Sequence, residues 1–314
     1  MPLNIPIDLP AIELLRKENI FVLNESGAHP CQSRSLKIAL LNLMPTKITT
    51  ETDFIRLLYN YPLQIDLELI KIKSHKSKNT PEEHMNKFYK NFEDICNEYY
   101  DGLIITGAPV ELMEYEEVTY WKELQEIFDW ATQHVTSTLY ICWAAQAALY
   151  HFFGVPKYEL NNKMFGIFRH TLSDNSLPLL NGFDDEFYVP HSRHTEIRKA
   201  DILKHPELNL ISESEEAGVY MLTARNGREI FITGHSEYAP EALNNEYIRD
   251  INKGLPIHVP QNYYIDNDPR KPISVKWRAH ANLMFKNWLN HYVAPFSPSD
   301  SRDIKLLEEL HFNR

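Results

Sequence analysis

Hydrophobic patterning predicts alternating strands and helices in the first half of the chain. Short apolar runs typical of buried strands lie at 37–44, 101–109 and 139–141, and an alternating strand pattern lies at 63–72. Apolar residues at helical spacing follow them at 46–60, 83–100, 120–134 and 143–153. Strands that are apolar throughout and alternate with helices are typical of a parallel sheet covered by helices on both faces.

The second half of the chain is richer in predicted strands. Strand patterns lie at 186–197, 218–224 and 228–237, and helical patterns lie at 241–254 and 275–293. The last helix is amphipathic and offers four large side chains for packing: Trp277, Leu283, Trp288 and Leu289. We therefore expect one catalytic α/β domain over 1–314, with a core at 36–255, an N-terminal extension at 1–35 and a C-terminal extension at 256–314.

Composition and charge exclude several classes of protein. The net charge of −11 argues against nucleic acid as a partner, because a phosphate backbone demands a basic face. No apolar run is long enough for a membrane span, and the first residues lack a signal-peptide pattern, so we expect a cytoplasmic protein. The three cysteines, Cys31, Cys96 and Cys142, are far apart and predict neither a disulfide framework nor a zinc site.

Cys142 lies where a predicted strand becomes a helix, in "LYICWAAQAAL". In open α/β sheets, functional groups gather beyond the carboxyl ends of the strands. The positive end of the following helix would stabilise a thiolate, and the Trp143 amide would point towards an oxyanion. The alternative is a small packing residue, which is a common role of a free cysteine.

A second strand end carries His235 and Glu237, in "GHSEYAP". In an extended segment these side chains point the same way, so the carboxylate can orient the imidazole while the other ring nitrogen faces a nucleophile. Alone, such a pair is often a surface pair. The joint occurrence with Cys142 favours a Cys-His-Glu catalytic group.

Three segments, "DGLIITGAPVE", "YICWAAQAAL" and "GHSEYAP", resemble the signature segments of the class I glutamine amidotransferase fold, which is flavodoxin-like. More closely, the chain resembles the homoserine O-acyltransferases, which act in methionine biosynthesis. The likeness continues through "LNLMPTKITTETDFIRLL", "NNKMFGIFRHTL", "PHSRHTEI" and "KWRAHANLMFKNWLNHYV". Tyr140 and Ala144 replace the glycines usual around an amidotransferase nucleophile, and no synthase domain is evident, which points towards acyl transfer.

The resemblance implies transfer of an acyl group from acyl-CoA to Cys142 and then to the L-homoserine hydroxyl, with ping-pong kinetics. His235 would act as general base and acid, and Glu237 would orient it. The resemblance places the second oxyanion donor at Lys47, beside the Trp143 amide. It implies no permanently bound cofactor and no metal.

The resemblance also assigns substrate binding to Lys163, Ser192 and Arg249, with Arg249 holding the homoserine carboxylate. An arginine suits that task because its planar fork pairs with a carboxylate through two hydrogen bonds. Without the resemblance, Lys163 and Arg249 would be interpreted as solvated surface charges and Ser192 as a strand hydroxyl bonded to a neighbour.

Glu111 is the position that separates the two activities in the resembling family, where glycine accompanies succinyl-CoA and glutamate accompanies acetyl-CoA. From composition alone, Glu111 would be interpreted as a helix-start residue that complements the dipole. A second carboxylate would repel the succinyl carboxylate, so we expect acetyl-CoA as co-substrate.

Four alternatives remain open from the sequence. They are a homoserine O-succinyltransferase, a glutamine amidotransferase-like hydrolase, a non-catalytic protein that keeps the fold, and a metal enzyme using His191 and His194. The two histidines are three residues apart on a strand-like segment and would face opposite ways, which disfavours a metal site. The sequence leaves a homodimer open.

Overall fold

The computed structural model describes residues 3–6, 8–17, 23–24, 35–59, 61–75, 79–173 and 176–296. Cys31 and the end of the predicted C-terminal extension lie outside these ranges. The helices of the described chain are α1 Ala11–Lys17, α2 Lys47–Leu58, α3 Glu82–Phe88, α4 Phe92–Ile95, α5 Trp121–His134, α6 Trp143–Phe153, α7 Lys199–Ile202, α8 Ala242–Asn252 and α9 Arg278–Trp288. None of them combines the length and apolarity needed to cross a membrane.

The strands of the described chain join in one mixed sheet. They are β1 Leu3–Ile5, β2 Leu23–Asn24, β3 Ser35–Leu41, β4 Gln64–Lys71, β5 Tyr89–Asn91, β6 Tyr100–Ile105, β7 Val135–Ile141, β8 Tyr158–Leu172, β9 Glu186–Glu196, β10 Asn209–Ser214, β11 Gly218–Ala224 and β12 Glu229–Ile232. Their order is β2-β1-β4-β3-β6-β7-β12-β11-β10-β8-β9, and β5 pairs with β4.

The sheet has a parallel half and an antiparallel half. Strands from β2 to β12 in this order are parallel to their neighbours, whereas β11, β10, β8 and β9 pair antiparallel. The expected mostly parallel α/β fold is therefore confirmed.

Both faces of the parallel half are covered by helices. Along β3, Ile38 and Leu40 face one apolar cluster with Trp288, while Ala39 and Leu41 face another. This double burial explains why these strands are apolar throughout. The closing helix α9 is held on the sheet by Trp288, whose indole N–H donates to Ser137 Oγ at 2.9 Å.

The helix predicted over 83–100 is wrong as a single element. The structure divides it into α3, the short strand β5 and α4. Tyr89 pairs with Leu69 of β4, so the backbone leaves the helical conformation to extend the sheet. Helical spacing of apolar residues could not show this pairing between distant segments.

Two buried histidines lie side by side where β8 meets β9. His191 Nε2 lies 3.1 Å from His170 Nε2, and the rings stack at 5.0 Å. Arg193 Nε donates to His191 Nδ1, and His170 Nδ1 donates to the Phe168 carbonyl, which fits two neutral rings in one chain of hydrogen bonds. Burial lowers the pKa of His170 to about 3 and that of His191 well below its ordinary value.

We predict that these two histidines make the folded state sensitive to acid. Below their unfolded pKa of about 6.5, the unfolded chain binds protons that the folded chain does not, so stability falls as pH falls. Each histidine contributes a slope of about 1.4 kcal/mol per pH unit over the range between its two pKa values. Urea unfolding of His170→Gln across this range should show a shallower slope than the native chain.

Phe187→Leu is the matched control, because Phe187 is buried against the His170 ring and does not titrate. Its slope should equal that of the native chain. Equal slopes for His170→Gln and the native chain would show that the pair does not titrate with unfolding.

Candidate active site

A sharp turn at Cys142 separates β7 from α6. Cys142 has φ of +53° and ψ of −116°, a backbone region that residues other than glycine rarely adopt. Its N–H donates to the Ile232 carbonyl at 2.6 Å, and its carbonyl accepts from the amides of Ala145 and Gln146 at 3.1 and 3.3 Å. These contacts hold the strained turn between a neighbouring strand and the first turn of the helix.

His235 and Glu237 lie beside the cysteine, beyond the end of β12. His235 Nδ1 is 2.7 Å from Glu237 Oε1, and a further side-chain hydrogen bond joins His235 to Cys142. All three residues are buried. A Cβ built on Gly107, at the end of β6, would lie 3.1 Å from Cys142 Cβ and 3.6 Å from His235 Cε1. The ends of two adjacent parallel strands, β7 and β12, thus bring the three residues together, and a glycine at the end of the neighbouring β6 leaves room for them.

The electrostatic setting of His235 favours the imidazolium. Burial lowers the pKa of His235, but the negative charges of Cys142 and Glu237 and the hydrogen bonds to both outweigh burial. The pKa of His235 consequently lies well above its ordinary value. The arrangement therefore favours a protonated His235 beside Cys142, with Glu237 hydrogen-bonded to the ring.

Tyr238, which sequence reasoning missed, covers the catalytic imidazole. Its ring stacks on His235 with centroids 4.1 Å apart and planes within 12° of each other. Burial, followed by the charges of Glu246, Glu237 and Cys142, raises the pKa of Tyr238 well above its ordinary value. The ring of Tyr238 is therefore stacked on His235 and near enough to Glu246 to be affected by its charge.

That second cluster is centred on Glu246 of α8. Glu246 Oε1 accepts from Lys163 Nζ and Oε2 accepts from Ser192 Oγ, both at 2.8 Å. Burial raises the pKa of Glu246, but Lys163, Ser192 and Arg249 outweigh burial and hold the pKa below its ordinary value. Two of the predicted substrate residues are thus joined by a carboxylate that was not predicted.

Arg249 completes this cluster, one turn after Glu246 on α8. Its Nε and Nη2 donate to the two oxygens of Asp250 at 2.7 and 2.9 Å, and Nη2 also donates to Glu246 at 3.1 Å. The side chain is 51% exposed, so the guanidinium can still meet a ligand. The i, i+3 spacing of Glu246 and Arg249 in a predicted helix was the signal that could have identified Glu246.

Glu111 follows the end of β6 and lies against β9. Its Oε2 accepts from the His194 amide at 2.7 Å and from Thr195 Oγ1 at 3.4 Å. Thr195 Oγ1 also bonds to Oε1 of Gln146, four residues after Cys142 on α6, at 2.7 Å. Glu111 is therefore hydrogen-bonded to β9, the same strand that contacts Gln146 of α6.

Lys47 begins α2, and its ammonium group is directed back into the preceding turn. Nζ donates to the Asn42 carbonyl at 2.5 Å and to the Met44 carbonyl at 3.4 Å. Burial lowers the pKa of Lys47 to about 8, against the opposing charge of Glu51. The other predicted oxyanion donor, the Trp143 amide, is the first N–H of α6, and such N–H groups have no partner within their own helix.

Both ring nitrogens of His191, one of the two histidines considered as metal ligands, have other partners. They are hydrogen-bonded to His170 and to Arg193. Among the residues that the structure describes, no group of three or more His, Cys, Asp or Glu side chains is placed to hold a metal ion.

Comparison with known proteins identifies the family of the chain. A family model described as homoserine O-succinyltransferase matches residues 2–299. A homoserine O-acetyltransferase of Azobacteroides pseudotrichonymphae is 63% identical over 99% of both chains. One of Bacteroides thetaiotaomicron is 64% identical over 97% of this chain and all of its own.

A solved structure shows the fold independently of sequence. A glutamine amidotransferase of Thermotoga maritima is 13% identical, with a TM-score of 0.53 over 82% of this chain and 98% of its own. The expected class I glutamine amidotransferase-like fold is thereby confirmed. The family match and the high identity of the relatives show that this chain belongs to the homoserine O-acyltransferase family, which the matching family model describes as homoserine O-succinyltransferase.

Proposed function

We propose that this chain is a homoserine O-acetyltransferase that carries the acetyl group on Cys142. The observation that carries the proposal is the buried hydrogen-bonded group of Cys142, His235 and Glu237 at the ends of neighbouring parallel strands. The names of the most similar relatives support the acyl acceptor and the acetyl group. The reaction belongs to methionine biosynthesis, and both substrates are cytoplasmic metabolites, so we place the enzyme in the cytoplasm.

In the first half-reaction, Cys142 Sγ attacks the carbonyl carbon of acetyl-CoA as a thiolate. The new S–C bond replaces the bond to the CoA sulfur, which leaves with the proton from His235 Nε2. One thioester replaces another, so the step is nearly isoenergetic. The Trp143 amide and a donor from the turn at 42–47 would stabilise the oxyanion that forms on the way.

In the second half-reaction, the homoserine hydroxyl attacks the acetyl-Cys142 thioester. Acetylation removes the thiolate charge, which is one of the causes that raise the pKa of His235. The pKa of His235 is therefore lower in the acyl-enzyme, which favours the neutral imidazole whose free ring nitrogen can accept a proton. His235 takes the hydroxyl proton, the ester C–O bond forms, and Cys142 leaves as a thiolate again.

The Glu246 cluster fits the amino-acid end of homoserine. Glu246 offers a carboxylate for the substrate ammonium group, and exposed Arg249 offers its guanidinium for the substrate carboxylate. Lys163 and Ser192 hold Glu246 from the side of the sheet. Tyr238 stacks on His235 and is affected by the charge of Glu246, so a substrate bound at this cluster would lie near the thioester.

Glu111 accounts for the choice of acetyl over succinyl. A succinyl carboxylate at about 4 Å from Glu111 would be repelled by about 4 kcal/mol at an effective dielectric of about 20. Such a difference corresponds to a rate ratio of several hundredfold or more. The tether of Glu111 to the His194 amide keeps the charge from moving away from a longer acyl chain.

We predict that acetyl-CoA alone acetylates Cys142. Intact-protein mass spectrometry should show the addition of one acetyl group, which L-homoserine then removes as O-acetylhomoserine. Cys142→Ala should show neither the addition nor turnover, whereas Cys96→Ala should behave as the native chain. Ammonia release from glutamine, with no acetylation by acetyl-CoA, would instead indicate an amidotransferase-like hydrolase.

We predict that Glu237→Gln shifts the pH dependence of kcat/KM for acetyl-CoA. Loss of the carboxylate removes a cause of the high pKa of His235, so the imidazolium that protonates CoA is lost at lower pH. The alkaline limb should move to lower pH by about one unit or more, and kcat should fall.

Glu229→Gln tests whether the shift is specific. Glu229 is also buried but stands at the opposite end of β12, where Arg225 pairs with it. The alkaline limb of the pH profile of Glu229→Gln should match that of the native chain. An unmoved limb in Glu237→Gln would mean that Glu237 does not set the ionisation of His235.

We predict that variants of Glu111 exchange the donor preference. Glu111→Gly removes both the charge and the volume, so kcat/KM for succinyl-CoA should rise relative to acetyl-CoA by about a hundredfold. Glu111→Gln keeps the volume and removes the charge, which separates repulsion from steric exclusion. The matched control is Glu114→Gly, at an exposed glutamate on the same segment. A native chain that already prefers succinyl-CoA would refute the acetyl assignment.

A further inference from the structure

A buried polar network lies behind the turn at 42–47. Its centre is Glu51 of α2, whose side chain is fully buried. His84 Nε2 lies 2.9 and 3.1 Å from the two carboxylate oxygens, and the Tyr89 hydroxyl donates to Oε1 at 2.5 Å. A carboxylate this deeply buried is tolerated only when it is paired or well hydrogen-bonded, and two separate elements, α3 and β5, supply these contacts.

The network reaches the turn through Asn42. Asn42 Nδ2 donates to the Tyr89 hydroxyl at 3.0 Å and to the Lys47 carbonyl at 3.2 Å. Asn42 Oδ1 accepts from the Met44 amide at 3.1 Å, and the Asn42 carbonyl accepts from Lys47 Nζ. One side chain therefore ties together the start, middle and end of the turn.

The turn at 42–47 lies beside Cys142 and His235. The Leu43 amide donates to Thr106 Oγ1 at 2.8 Å, and Thr106 is followed by Gly107, which packs against Cys142 and His235. A displacement of the turn at 42–47 would therefore move Thr106, which precedes the glycine that contacts Cys142 and His235. Catalytic geometry is sensitive on this scale, since a misplacement of about 1 Å can cost about a hundredfold in rate.

We propose that the chain Glu51–Tyr89–Asn42 is a positioning device that aims the turn at 42–47 towards the oxyanion formed at Cys142. Tyr89 is a positioning residue in this scheme, because its hydroxyl contacts Glu51 and Asn42 and acts through them. The inference rests on the proposed acyl transfer, in which this turn supplies the second oxyanion donor.

The test is Tyr89→Phe, which removes one hydroxyl and keeps the ring. We expect the rate of Cys142 acetylation, by acetyl-CoA and by p-nitrophenyl acetate, to fall by about tenfold, with little change in KM. Alkylation of Cys142 by iodoacetamide should keep its native rate, because displacement at an sp³ carbon forms no oxyanion. A merely structural role of Tyr89 would not separate these two reactions.

Tyr100→Phe is the matched control. The Tyr100 hydroxyl also donates to a glutamate, Glu68 Oε2 at 2.5 Å, but at the start of β6, away from the cysteine. This variant should acetylate and alkylate as the native chain does. If Tyr89→Phe does not fold, Glu51→Gln keeps the side-chain volume and gives the same comparison.

Two outcomes would overturn the positioning role of Tyr89. The first is an unchanged acetylation rate in Tyr89→Phe. The second is an equal fall in the rates of acetylation and alkylation, which would mean that the variant changes the reactivity of the Cys142 thiolate itself. A native chain that reacts with p-nitrophenyl acetate and not with acetyl-CoA would refute the proposed donor. The comparison of Tyr89→Phe with the native chain on the ester would still decide the positioning role.

Discussion

The structure of the site depends on one strained residue in the middle of a rigid sheet. Cys142 keeps a positive φ because β12 binds its amide and α6 begins with the next residue. The backbone cannot relax without breaking the pairing of strands buried on both faces. The sheet therefore determines the position of Cys142 Sγ. The imidazole of His235 and the carboxylate of Glu237 extend towards it from the end of β12.

The same fold in a glutamine amidotransferase shows that the sheet does not choose the reaction. The choice lies in the residues placed around the sulfur. In this chain Glu111 is hydrogen-bonded to β9, and Glu246 of α8 is hydrogen-bonded to Ser192. The family model and the most similar relatives carry names that differ in the acyl group, and a single side chain near the cysteine can account for such a difference.

The sequence was sufficient for the features that local pattern encodes. Apolar runs showed β3, β4, β6 and β7, because strands buried on both faces need no polar side chains. Cys142, His235 and Glu237 stood out because each follows such a strand. The local sequence pattern could not predict contacts between distant segments. The pairing of β5 with β4 interrupts a helix, and β8 begins with the polar "YELNN", which gives no strand signal. Glu246 and Tyr238 gain their importance only from the neighbours that the fold brings to them.

Gly107 restricts how this site can change. A Cβ there would lie 3.1 Å from Cys142 Cβ and 3.6 Å from His235 Cε1, so a larger side chain would press on both residues. Glu111, four residues further along the chain, is instead held by hydrogen bonds to His194 and Thr195 of β9. A substitution at Glu111 therefore alters the surroundings of the site without entering the contact between Cys142 and His235.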